Sequence, residues 1–116
     1  MKVTISEKTF GVTLKDNETA AAFAALLPME LSMSELNGNE KYHYLMGALP
    51  AKPERVGHIE AGDLMLFGND CVVLFYKSFH TGYSYTRIGH LENASGLEKA
   101  LGKGSAMVKM TKQVLM

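Results

Sequence analysis

Residues 71–92, CVVLFYKSFHTGYSYTRIGHLE, decide how the rest of the chain is read. The first half is a continuous apolar run that puts Cys71, Val73 and Phe75 on one face of an extended strand and Val72, Leu74 and Tyr76 on the other. A strand that is apolar on both faces needs two covers. One face lines a core, and the other meets either the protein's own loop or helix, or a ligand. In the second half Tyr83, Tyr85 and Arg87 share a face at period two, with Phe79 and His80 in the connection before them. That face reads either as a solvated strand with buried rings and wet hydroxyls or as the wall of a groove.

Outward from this segment, period-two alternation dominates the chain, as expected for strands with one buried face. Val3 and Ile5, then Phe10, Val12 and Leu14, predict an N-terminal hairpin. In DNETAAAFAALLP, Asp16 or Asn17 can cap a helix near residues 18–27, with Phe23, Leu26 and Leu27 on one face and Pro28 closing it. Met29, Leu31 and Met33 begin a strand that turns at Asn37-Gly38 into KYHYLM, and residues 47–63 form the longest irregular connection. LMLFG and CVVLFY make a tight hairpin, followed by YTRIGHLE. Ser95 and Glu98 have capping-box spacing for a second helix near residues 96–101, and Gly102 can end it. A last strand covers residues 105–114.

About eight strands and two short helices, with no linker or repeat, predict one mainly β domain over residues 1–116. Closure into an antiparallel barrel removes the edges that an open sheet must protect. The first third alone also fits a ubiquitin-like grasp, but the strands that follow are too many for that smaller fold.

Twelve basic and twelve acidic residues cancel, so the chain lacks the positive field expected of a nucleic-acid or anionic-membrane binder. No apolar run is long enough to cross a bilayer as a helix, and the N-terminal alternation is unlike a signal peptide. A single cysteine, Cys71, fits a reducing cytoplasm. It has no neighbouring base in sequence, and its β-run reads as a buried inert thiol. The four histidines show no metal-ligand spacing. No metal and no cofactor are expected.

Residues 85–113, YTRIGHLENASGLEKALGKGSAMVKMTKQ, resemble the closing section of the cyclophilins, where a strand ending in a Phe-Gly-Lys-Val type turn leads to a short helix and a final strand. Ile88-Gly89-His90-Leu91 matches that turn. HIEAGDLMLFGNDCVVLF, residues 58–75, is similar to a cyclophilin hairpin preceded by glycine. Residues 8–33 and 36–45 are closer to the small bacterial cyclophilin-like proteins than to the isomerases. The resemblance implies a cyclophilin-like closed barrel of about eight antiparallel strands with helices covering its ends.

For activity the resemblance implies an arginine beside the twisting prolyl amide, a glutamine holding the neighbouring backbone and an apolar pocket for the ring, a preorganised site acting on a barrier of roughly 18–20 kcal/mol. This chain departs from that set. Tyr42-His43-Tyr44 stands where the Phe-His-Arg triplet is expected, Cys71 and Val73 where the glutamine and its companion phenylalanine would fall, and Tyr85 near a groove-edge histidine. There is no tryptophan at all. The expectation is a groove that binds a peptide segment or small ligand without matched isomerase residues. It is built from a floor of Val73 and Phe75, walls of Tyr42, Tyr44, Tyr83, Tyr85 and Arg87, and Phe79 and His80 at the rim, with no catalytic residue assigned. The alternative is an atypical or weak prolyl isomerase using Arg87. Ligand identity and oligomeric state are not legible in the sequence.

Overall fold

A computed structural model describes residues 1–112. The strands and helices follow in the order β1 (Lys2–Ile5), β2 (Lys8–Leu14), α1 (Glu18–Ala24), β3 (Met29–Leu36), β4 (Glu40–Tyr44), β5 (Glu54–Arg55), β6 (His58–Ile59), β7 (Asp63–Phe67), β8 (Cys71–Phe75), β9 (Phe79–His80), β10 (Ser84–Leu91), α2 (Leu97–Leu101) and β11 (Ala106–Thr111). Eight of the strands close a barrel in the order β2-β1-β11-β3-β4-β8-β7-β10, and β10 returns to β2. Every pairing is antiparallel. The closed barrel with two short helices is the architecture expected from the alternation, and the ubiquitin-like grasp is set aside.

Alternation explains the interior. Val3, Ile5, Leu31, Met33, Leu64, Leu66, Val72, Leu74, Val108 and Met110 point inward, and Phe23 from α1 and Leu97 and Leu101 from α2 join the same core. At the closing seam, a Cβ on Gly89 would lie 2.5 Å from the Thr13 carbonyl oxygen. Only glycine lets β10 approach β2 this closely. The register of β10 against β7 shifts between Arg87 and Gly89, a bulge that turns the strand as the barrel closes.

The local signals are partly followed. Asn17 caps α1, its Oδ1 accepting from the Ala20 N–H at 2.7 Å, and Asn37-Gly38 takes the positive φ values of a tight turn. Helix α1 ends at Ala24 rather than Leu27, and the residues before Pro28 tighten into i to i+3 bonds from Leu26 to Phe23 and Leu27 to Ala24. The Ser95 capping box does not form. Gly96 is the N-cap, without a side-chain cap bond, because Asn93 accepts the Ser95 N–H at 2.9 Å and shapes the entry as an Asx turn. Ile88-Gly89-His90-Leu91 is not a turn but the end of β10, paired on both sides. The long connection is not wholly irregular: β5 extends the sheet beyond β10, and β6 pairs with β9 as a separate ribbon that includes Phe79 and His80. The last strand ends at Thr111, and positions 113–114 of the expected strand lie outside the described residues.

Candidate functional site

On the outer face of the barrel a second apolar cluster forms from Ile59, Met65, Cys71, Val73, Phe75 and Tyr85, separate from the interior core. It follows from register. Tyr44, Cys71 and Phe67 lie in one row across β4, β8 and β7, Tyr42, Val73 and Met65 in the next, and Glu40 opposite Phe75 in the third. Because alternate residues face the same way, Glu40, Tyr42 and Tyr44 share the outer face with Cys71, Val73 and Phe75. The β6–β9 ribbon lies over part of this surface, with its own Ile59 fully buried in the cluster.

The uncovered part is a cavity of about 560 Å³. Of the residues expected at the site, Tyr42, Tyr44, Val73, Phe79, His80, Tyr83 and Tyr85 all line it. Tyr83 and Tyr44 are 66% and 61% exposed at its mouth, whereas Tyr85 is 5% exposed. The rings meet near right angles: Tyr42 and Tyr44 at 5.9 Å and 79°, Phe67 and Tyr83 at 6.2 Å and 87°. Edge-to-face packing of this kind fixes ring orientation and leaves π-faces turned outward.

Two expected residues are elsewhere. Phe75 is completely buried between Phe79 and Tyr85, at ring separations of 5.7 and 5.4 Å, so it is a plug beneath the ribbon and no groove floor. Arg87 lies outside the cavity because β5, added beside β10, brings Glu54 to its guanidinium, where Nε donates to Oε1 at 3.0 Å. It lines a different depression, with Lys15 and Asn17.

The sequence reading missed Leu36, Phe67, Thr81, Gly82 and, above all, Glu40. Glu40 is 8% exposed, and neither a hydrogen bond nor an ion pair from another described residue reaches its carboxyl. Burial raises its pKa, and the charge of Glu35 adds to the rise. Its place at period two with Tyr42 and Tyr44 was the available signal. Burial pushes the pKa of the Tyr85 hydroxyl up to about 12, and the Glu40 charge adds to the rise. Cys71 has its thiol pKa raised by burial and by Asp70, outweighing a hydrogen bond from Tyr44, so it stays protonated and weakly nucleophilic at neutral pH.

The adjacent Lys41 faces inward. Its Nζ donates to Glu35 at 2.9 Å and to the carbonyls of Gly102 and Gly104 at 2.8 and 2.6 Å, and it lies over the Tyr76 ring. No group of three histidine, cysteine or acidic side chains suited to a metal occurs among the described residues, and no helix there is long and apolar enough to cross a membrane.

A profile described as the cyclophilin-like family matches residues 3–111, from β1 through β11. No curated protein and no solved structure matches the chain.

Proposed function

The chain belongs to the cyclophilin-like family, and on that footing we propose that it is a binding protein whose outer-face cavity receives a small ligand or a peptide segment. The observation that carries this reading is the tyrosine-lined cavity itself, apolar at Cys71 and Val73 and edged by hydroxyls and an imidazole. Such a mixture suits recognition, since rings supply area at low entropic cost and their polar tips fix orientation.

The isomerase alternative gains nothing from the arrangement. Catalysis of amide rotation needs a preorganised donor beside the bond. The guanidinium offered for that role is occupied by Glu54 and lies outside the cavity. We place the protein in a reducing cytoplasm on the strength of its lone cysteine, and expect neither nucleic acid nor membrane as partner from its zero net charge.

Titration of the isotope-labelled protein with a library of small amphipathic compounds and short peptides, followed by amide and aromatic NMR shifts, tests the reading. Shifts that converge on Tyr42, Tyr44, Val73 and Tyr83 are the expected result. Ligands that cluster on the depression beside Arg87, with the tyrosine cavity silent, would overturn it.

A further inference from the structure

We infer that the cavity receives an organic ammonium group, with Glu40 supplying the counter-charge and Tyr42, Tyr44 and Tyr83 the aromatic faces. The inference rests on the proposed binding role and names the ligand's chemistry.

Its basis is an imbalance. Glu40, a residue more than nine-tenths buried in the cavity wall, presents to the cavity a carboxyl with no donor among the described residues. Burying such a group without a partner is costly, and the usual compensation is an opposite charge or hydrogen-bond donors. None of the described cations near the cavity pairs with Glu40, and this includes Arg55, whose guanidinium lies beside the lining residue Gly82. Lys41, next in sequence, projects to the opposite face of β4 and is held by Glu35 and two carbonyls. Arg87 is held by Glu54. His80, which lines the cavity, lies 4.9 Å ring to ring from His58 and makes no bond to Glu40. Since none of them is bonded to Glu40, the counter-charge is left for a ligand to supply.

The walls select among cations. A bare metal ion needs several hard or imidazole ligands, and no such group exists among the described residues. An organic ammonium spreads its charge over methyl or methylene surface and is attracted to the negative faces of aromatic rings, most of all where water is displaced. Tyr42 and Tyr44 meet at 79°, so they offer two non-parallel surfaces, and Tyr83 stands edge-on to Phe67 at the mouth. An anion would face Glu40 without compensation, and an apolar ligand would leave it buried and unpaired.

Four probes separate the cases: choline and its uncharged carbon isostere 3,3-dimethylbutan-1-ol, and Nα-acetyl-lysine amide and Nα-acetyl-norleucine amide. Each is titrated into the full chain and into the Glu40→Gln and Tyr42→Leu variants, with affinity and site read by NMR. The expected result is that at least one ammonium probe shifts the cavity resonances and binds about tenfold more tightly than its neutral counterpart, and that either variant removes most of that preference. Choline alone binding assigns a free small amine, and the lysine derivative alone assigns a peptide side chain. If charged and neutral probes bind the cavity equally in all three proteins, the ammonium inference fails while the binding role stands. If no probe moves a cavity resonance, the inference fails as well, and the broader library decides the binding role separately. Should Glu40→Gln fail to fold, Tyr42→Leu, which keeps apolar bulk and loses the π-face, still decides the outcome.

Discussion

Lys41 Nζ lies 2.9 Å from Glu35 Oε1, on a lysine side chain with no solvent exposure. The same nitrogen ties down the chain between α2 and β11 through Gly102 and Gly104. Replacing it with methionine keeps the stem but strips three acceptors of their donor. Lys41→Met is expected to destabilise the protein by about 3 kcal/mol, the scale of a buried charged hydrogen-bond network losing one member. Lys77→Met, at an exposed pair 3.5 Å from Glu98, should change stability by less than about 0.5 kcal/mol. Urea denaturation of both variants measures the contrast, and equal effects would contradict the assignment.

Two neighbouring carboxylates shape acid and neutral stability in opposite senses. Glu40 has a raised native pKa from burial and the Glu35 charge, so its favourable contribution is complete below the ordinary value of 4.5 and is lost as pH rises through the native value. For Glu35, burial pushes the pKa up, but hydrogen bonds from Lys41, Tyr76 and the Gly38 N–H outweigh it and hold the pKa below 4.5. Its contribution is therefore complete above 4.5 and fades as pH falls through the lowered value. Above pH 4.5 the wild type should lose stability relative to Glu40→Gln as pH rises. Parallel stability curves between pH 4.5 and 8 would show that Glu40 is not desolvated.

The protein should leave the rate of prolyl isomerisation in short peptides unchanged, and Arg87→Ala should make no difference to that result. The arginine is committed to Glu54 across β5 and β10. Its loss should cost at most about 1 kcal/mol of stability, as for other partly exposed pairs. A protease-coupled isomerisation assay showing acceleration that disappears in Arg87→Ala would restore the catalytic alternative.

Phe75 and Tyr83 should separate stability from binding. Truncating the sealed Phe75 to alanine is expected to cost about 3–5 kcal/mol, comparable with about 2–5 kcal/mol for Leu74→Ala on the inner face. Tyr83→Ala, at an exposed position on the cavity mouth, should change stability by less than about 0.5 kcal/mol. It should weaken ligand binding by roughly 1–2 kcal/mol. Thermal unfolding and calorimetric titration of the three variants provide the comparison.

The barrel was legible because its information is periodic. Val3, Ile5, Val72 and Leu74 declare their face within a few residues, and Asn17 and Asn37-Gly38 mark ends with local hydrogen bonding or left-handed backbone. What escaped was set at long range or by too few residues. The β6–β9 ribbon has two residues per strand, too short for a period, yet it turned Phe75 from floor to plug. Glu54 sits among prolines and charges and gives no sign that it will find Arg87 thirty-three positions later. Glu40 directly follows the polar turn Asn37–Asn39, a place where carboxylates are ordinarily wet. Only the pairing of β4 with β8 puts it against Phe75 and out of water.

Lys2 pairs with Thr111 along the β1–β11 ladder. A hairpin such as β7–β8 can zip as soon as its turn is made, but this ladder waits for almost the entire described chain. Strands joined across such separations raise contact order, and folding of barrels like this falls in the slower range of milliseconds to seconds. During synthesis the β1–β2 hairpin precedes both of its later neighbours, β10 and β11, and its β1 margin stays available to other chains until β11 arrives. The step that completes the cylinder is therefore also the one that ends its exposure to misassembly.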